Sequence, residues 1–564
     1  MTASQVVSDV ADEFWRCQSR WQPNLHAQAG LPVEHLPKGS HEEASSRASQ
    51  ARGLVGRLDA LESGELGGDD EDTVRFLRHF AEVYAGEADH FWLTPAGTPY
   101  QNLVQLLVYA DSVFAPHQFG AMSDLDNYLG LAADFGGRVE GLGELLQGQQ
   151  ERGIFIPRPA LSGAIASISG LKTSAATSLA VDDVRLAELG PKVKGLLAQR
   201  IEAVVDHQIA PAIDKILGLL DSPAYAEAAP DGVGLSRQPG GEEAYRFLVR
   251  RETSMDTTPE DLHRLGVEQC RELSERMHEV RSALGYHGSE AEFRDVLRGR
   301  RALFAQSVQE VEKRYLGYLS RIEPLIGDYF SVLPKAPYGV ARLSEDVEAG
   351  VTFGYYEAPT RIEPMGRYRY NGSNLSERSL LTAGPLIYHE LIPGHHFHLA
   401  RQFESVELPD FRRYAAELCG AFAEGWAEYA SGLGWEMGLY DDPWDAYGRL
   451  AHERFTAARL VIDTALNCGW WTYDEALSFM RANTTESETQ LKSELLRYAT
   501  DLPGQALGYR AGFLGISRLR ADAERRCRTQ FDIREFHEAV LGGGAMPFTV
   551  LEPRVSRRLP GRPS

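Results

Sequence analysis

TTPEDLHRLGVEQCRELSERMHEVRSAL (Thr257–Leu284) reads as one long helix with a marked start. Thr258 suits the N-cap, Pro259 at the first helical position forfeits no hydrogen bond, and Glu260 and Asp261 fill the first turn. Leu273, Met277, Val280 and Leu284 then follow at spacings of four, three and four, with charges between them. The same period runs through Val74–Ala85, Val184–Leu219, Ala291–Ile322 and Ala446–Leu466. Strand signals are few. Gly350–Tyr356 and Gly366–Asn371 are aromatic or β-branched and parted by a proline-containing turn. They read as a hairpin just upstream of a histidine cluster. The expected fold is mainly α, with a small β-hairpin or sheet beside the site.

A chain of 564 residues is too long for one hydrophobic core. Pro230–Gly241, rich in glycine and proline, is the better boundary, and Ser162–Thr177 is a second linker-like stretch. The expected organisation is a helical lobe over 1–239, a catalytic helical lobe over 240–553, and a disordered basic tail over 554–564. A net charge of −22 speaks against a nucleic-acid partner, which asks for a clustered basic face. The N-terminal residues do not read as a signal peptide, and no stretch approaches the roughly 18 apolar residues of a membrane span. Cys17, Cys270, Cys419, Cys468 and Cys527 are scattered and form no CxxC pair, as suits reduced thiols. A soluble, cytoplasmic protein is expected, with no membrane partner.

Four histidines lie within ten residues in His389-Glu390-Leu391-Ile392-Pro393-Gly394-His395-His396-Phe397-His398. Zinc favours imidazole nitrogen and carboxylate oxygen, and a catalytic site keeps three protein ligands plus an open position. In HExxH the second histidine comes one turn after the first, but here that position is Pro393. On an undistorted helix His395 would lie about 240° around the axis from His389. Pro393 removes a backbone donor and Gly394 permits unusual φ, so a break is expected that brings His395 back beside His389. His396 shares the face of His389 but sits about 10 Å along the axis. His395 is the first choice of second ligand, His396 the second and His398 a distant third.

The third ligand is sought in Glu417-Leu-Cys-Gly-Ala-Phe-Ala-Glu424-Gly-Trp-Ala-Glu428, where three carboxylates share one helical face. The glycines and alanines between them invite a second helix to approach closely. Glu424 is favoured over Glu417, and Glu428 suits a carboxylate that orients a liganding imidazole. Arg459 and Asp463, one turn apart, read as a buried ion pair. Tyr509 is a candidate oxyanion donor and Arg510 a candidate clamp for a substrate carboxylate. The hairpin at 350–371, with Tyr370, offers an edge along which an extended peptide can lie.

With these segments assembled, the chain resembles the bacterial family known as domain of unknown function 885, grouped with the zinc metallopeptidases. His389–His396 is similar to that family's HExxPGHH, Phe422–Tyr429 to its EGWALY, Arg459–Thr464 to its RLVVDT, and Pro503–Arg510 to its PGQALSYK. The resemblance implies a helical, two-lobed cleft fold akin to neurolysin and carboxypeptidase Taq, and zinc on His389, His395 and Glu424. The EGWAEY segment is also similar to the glutamate-bearing EGFAEY helix of aminopeptidase-N-type enzymes. Three positions depart from the family pattern: Asn467 stands for histidine, His398 for glutamine and Arg510 for lysine. The expected function is a zinc-dependent hydrolase, a peptidase for short peptides or small amides, with Glu390 as general base. Another divalent metal is compatible with the same ligands. The rival readings are a metal-dependent hydrolase or lyase for a non-peptide small molecule, and a non-catalytic binding protein.

Overall fold

The computed structural model describes residues 2–61, 66–99, 106, 108–182, 184–187, 191–348, 354–360 and 363–560. Thr258 caps its helix as the sequence predicts: its side chain accepts from the Asp261 N–H, and the helix runs Pro259–Ala283. The buried face is Leu262, Gly266, Cys270, Leu273 and Met277. Helices dominate the described residues, and none is long and apolar enough to cross a membrane.

The chain divides into two compact units. One is Met1–Phe247 with Leu466–Tyr473 and Leu496–Pro503; the other is Leu248–Ala465, Asp474–Leu495 and Gly504–Ser564. A single cut after residue 239 does not describe the two returning segments. The first unit is held by a cluster that includes Leu131, Phe135, Val139, Leu146, Ile168, Ile209 and Ile213. One expectation fails here, and one periodic segment proves to be interrupted. Ser162–Thr177 is no linker but part of a helix, Arg158–Ser178, because Ala160, Ala164, Ile168, Leu171 and Ala175 place an apolar stripe along it. Val184–Leu219 is not one helix: Pro191–Val204 passes through a wider turn at Val205–Ile209 into Ala210–Leu220.

In the second unit, strands β1 (Tyr338–Arg342), β2 (Tyr355–Glu357) and β3 (Gly366–Tyr370) form a sheet in the order β1-β3-β2. The expected hairpin corresponds to β2 antiparallel to β3, with Tyr356 opposite Tyr368. Residues 349–353 and 361–362 of that hairpin lie outside the described residues. β1 lies parallel to β3 on its other side. The basic tail is a correction. Helix Phe548–Arg558 runs into it, burying Arg554 and Val555, so 554–558 is ordered by packing; 561–564 lie outside the described residues.

The helices Gly420–Gly432 and Leu507–Cys527 cross backbone to backbone. A Cβ at Gly425 would sit 2.4 Å from the Gly512 backbone, and one at Gly512 would sit 2.0 Å from the Ala421 carbonyl oxygen. This crossing sets Glu424 and Tyr509 on adjacent helices. Gly512→Ala is expected to destabilise the protein by about 1–3 kcal/mol or more through overpacking, read as a lower urea midpoint. An unchanged midpoint would show that the helices have room to spare.

Candidate metal centre

Helix Ala383–Glu390 ends immediately after His389 and Glu390, and a new helix starts at His395. Pro393 has no N–H to extend the first helix. Gly394 brings the chain so close that a Cβ there would lie 1.8 Å from the His389 carbonyl oxygen. Trp426, on the Glu424 helix, donates from Nε1 to the Pro393 carbonyl at 2.9 Å and pins the break. The turn brings the His389 and His395 rings to 4.7 Å, perpendicular to each other.

Glu424 Oε2 faces both rings, 3.4 Å from His389 Nε2 and 3.3 Å from His395 Nε2. Among the described residues this buried oxygen has no hydrogen-bond partner, so the two nitrogens lie near it without being aimed along it. Metal–ligand bonds of about 2.0–2.2 Å in a tetrahedron set ligand atoms about 3.3–3.5 Å apart. The two spacings from Glu424 therefore fit the edges of a zinc-sized site, and all three ligand atoms lie within 4.8 Å of one another.

Burial alone would lower the His389 pKa, but Glu424 and Glu428 carry it up to about 10. The two imidazoles in turn hold the Glu424 carboxyl well below the usual range, against the effect of its burial. A carboxylate pair that demands a positive charge between imidazoles is what a cation would satisfy. Glu390 is different. Burial pushes its pKa up, the two histidines only partly offset this, and it makes no hydrogen bond or ion pair to another described residue.

A second group, His389, Glu428 and His452, also brings three ligand types together. Glu428 Oε1 is hydrogen-bonded to His452 Nε2 at 2.6 Å and lies 3.0 Å from His389 Nδ1 as an ion-pair contact. The other carboxylate oxygen of Glu428 accepts from Arg449 at 3.2 Å, and a guanidinium there repels a second cation. Glu428 thus orients His389. From Arg449 the buried chain of charges continues to Glu453 at 3.1 Å and from Glu453 to Arg510 at 3.2 Å. Glu428→Gln is expected to weaken zinc binding about 10- to 100-fold in a chelator competition; unchanged affinity would deny Glu428 this role.

The remaining candidates sort as follows. His396 turns away from the cluster, with Nδ1 2.8 Å from the Tyr356 hydroxyl and Nε2 3.1 Å from the Ala336 carbonyl; burial lowers its pKa to about 4. Both nitrogens are engaged elsewhere, so His396 falls out of the ligand set. His398 lies behind His395, Nε2 to Nδ1 3.3 Å. Glu417 belongs to a separate turn, Ala416–Leu418, and not to the Glu424 helix. Tyr509 stacks parallel to His389, centroids 6.3 Å apart, beneath the Arg459 guanidinium. Arg459 pairs with Glu494 at 3.2 Å, while Asp463 accepts from the Gly504 N–H at 3.0 Å.

Two candidates are corrected. Arg510 cannot clamp a substrate carboxylate, because it is buried and bound to Glu453 and to the Gln269 amide. Tyr370 does not line the site. It is buried against Tyr315, and the acids whose charges reach it are Glu312 and Glu348. Glu390 instead reaches Tyr368 and Tyr356, one residue pair further along the sheet. His452, Arg449 and Glu453 are not legible as site residues, since Glu428 and Arg510, which they bind, lie on other helices. Trp426 was within the quoted EGWAEY segment, but its role depends on a carbonyl more than thirty residues earlier.

Fold and cluster together define a mainly helical protein with two imidazoles and a carboxylate converging on one point. Over residues 23–555 the chain matches the family described as bacterial protein of unknown function (DUF885), and it belongs to that family. Its structure is similar to the crystal structure of a putative lipoprotein from Colwellia psychrerythraea, with TM-score 0.87, 23% identity and 100% of both chains covered. It is also similar to a putative lipoprotein of unknown function from Shewanella oneidensis, with TM-score 0.72, 17% identity, and 98% of this chain and 99% of that one covered. At these identities the likeness establishes the fold. No curated protein matches the chain.

Proposed function

We propose that the chain is a zinc-dependent hydrolase, a peptidase acting on short peptides, with His389, His395 and Glu424 holding the ion. The observation that carries this reading is the approach of two imidazole nitrogens to one buried carboxylate oxygen at 3.3 and 3.4 Å, beside Glu390, which pairs with no other described residue. A bound zinc ion supplies Lewis acidity toward a carbonyl oxygen and a water molecule. Glu390 takes the proton of the attacking water and passes it to the leaving amine, a task that its raised pKa favours. Tyr509 is the hydrogen-bond donor to the developing oxyanion. Glu428 and His398 hold the two imidazoles in orientation.

The reading is tested with zinc-loaded protein and a panel of short peptides with free and blocked ends. Release of amino acids from some of them, lost on chelation, is expected; no cleavage of any peptide would overturn it. A hydrolase or lyase for a non-peptide small molecule rests on Asn467 in place of the family's histidine. Asn467 is buried and its amide bonds to the Leu235 N–H and the Tyr498 carbonyl, which gives that alternative no support. A cytoplasmic location belongs to the same proposal: the five cysteines are free thiols, as a reducing compartment keeps them. The two similar structures are named putative lipoproteins, and cell fractionation decides the location.

A further inference from the structure

We propose that Tyr356 is a substrate-binding residue of this site and that His396 fixes its hydroxyl as a hydrogen-bond acceptor for a peptide N–H. The inference rests on the peptidase reading above.

His396 follows a proposed ligand in sequence yet serves a different group. Its Nε2 lies 3.1 Å from the Ala336 carbonyl, which can only accept, so the proton of this buried neutral ring is on Nε2. Nδ1 is then a bare lone pair. The Tyr356 hydroxyl, 2.8 Å away, must donate to it and has no second proton to give. Its own lone pairs remain, and no other described residue hydrogen-bonds to them. The pair exists because position 366 is glycine: a Cβ there would lie 2.4 Å from both Nδ1 and the hydroxyl oxygen. Tyr338 closes the other side of the imidazole at 5.0 Å between ring centroids.

Tyr356 stands on β2, an edge strand of the sheet, with its ring nearly parallel to that of His395 at 6.5 Å. A hydroxyl committed in this way cannot donate to an oxyanion. It can accept from a substrate nitrogen lying between the strand and the metal ligands. Two tyrosines thus take complementary tasks, Tyr509 donating and Tyr356 accepting.

The test uses zinc-loaded protein in the Glu390→Gln background, so that binding is measured without turnover. The probes are tri-alanine, its two singly N-methylated forms and its N-acetyl form, titrated calorimetrically. Adding Tyr356→Phe is expected to weaken tri-alanine binding about 5- to 10-fold, the worth of one net hydrogen bond, with zinc content unchanged. One modified probe, the one lacking the recognised N–H, should bind equally with and without Tyr356→Phe. His396→Leu should match Tyr356→Phe, while His396→Asn, which keeps an acceptor near the Nδ1 position, should restore most of the affinity. Equal tri-alanine affinity with and without Tyr356→Phe, or an equal loss for all four probes, would overturn the role of Tyr356 alone. Failure of the Glu390→Gln protein to bind any of the peptides would overturn the peptidase reading instead.

Discussion

Glu390→Gln is expected to keep one zinc per chain and to lower peptide turnover by about 100- to 10,000-fold, the usual worth of a general base. The separation of the two effects follows from position. Glu390 ends the helix that carries His389, beside the cluster, but its carboxylate is outside the set of converging atoms. Burial raises its pKa above the usual carboxylate range and the neighbouring imidazoles only partly offset this. Glutamine preserves size and removes only the ionisable carboxyl. Turnover is measured on whichever peptide the parent cleaves fastest, with metal content measured on the same samples. Full activity in the variant would remove the mechanism, and loss of zinc would recast Glu390 as a ligand.

Arg449→Met is expected to cost about 3–5 kcal/mol of stability at neutral pH, because it strips one guanidinium from two buried carboxylates at once. Arg449 is fully buried and contacts Glu428, Glu453 and the Ser431 hydroxyl. Burial alone would raise both carboxyls. His452, His389 and Arg449 hold Glu428 low, and Arg449 with Arg510 holds Glu453 low. A depressed folded-state pKa contributes stability above the unfolded value, about 4.3, and loses it as pH falls toward the folded one. The parent therefore weakens as pH falls below about 4.3, and the deficit of the variant, read from urea midpoints at pH 7 and at steps below about 5, narrows in that acid range. A deficit that stays constant over that range would show that Arg449 acts through packing alone.

Much of this was legible in the chain itself, and the parts that were not have a common cause. The helix start at Thr258, the close crossing allowed by Gly425, and the break at Pro393-Gly394 are local matters of capping, side-chain size and backbone freedom. The exclusion of His396 needed the Ala336 carbonyl, sixty residues away. Arg510 read as a free clamp because Glu453, fifty-seven residues earlier, gave no sign of being its partner. Tyr370 was a plausible aromatic on the right strand, but residues two apart on a strand are nearly 7 Å apart. That distance separates the surroundings of Tyr370 from those of Tyr368. Ser162–Thr177 misled through composition, since small residues make a helix as readily as a linker once every third or fourth one is apolar and buried.

The proposed function requires that His395, not the adjacent His396, joins His389 and Glu424 on one ion. Metal analysis of the purified parent and of His389→Ala, His395→Ala, His396→Ala and Glu424→Ala tests it directly. One zinc per chain is predicted in the parent and in His396→Ala, with the ion lost from the other three. Metal retained by His395→Ala and lost from His396→Ala would contradict the account.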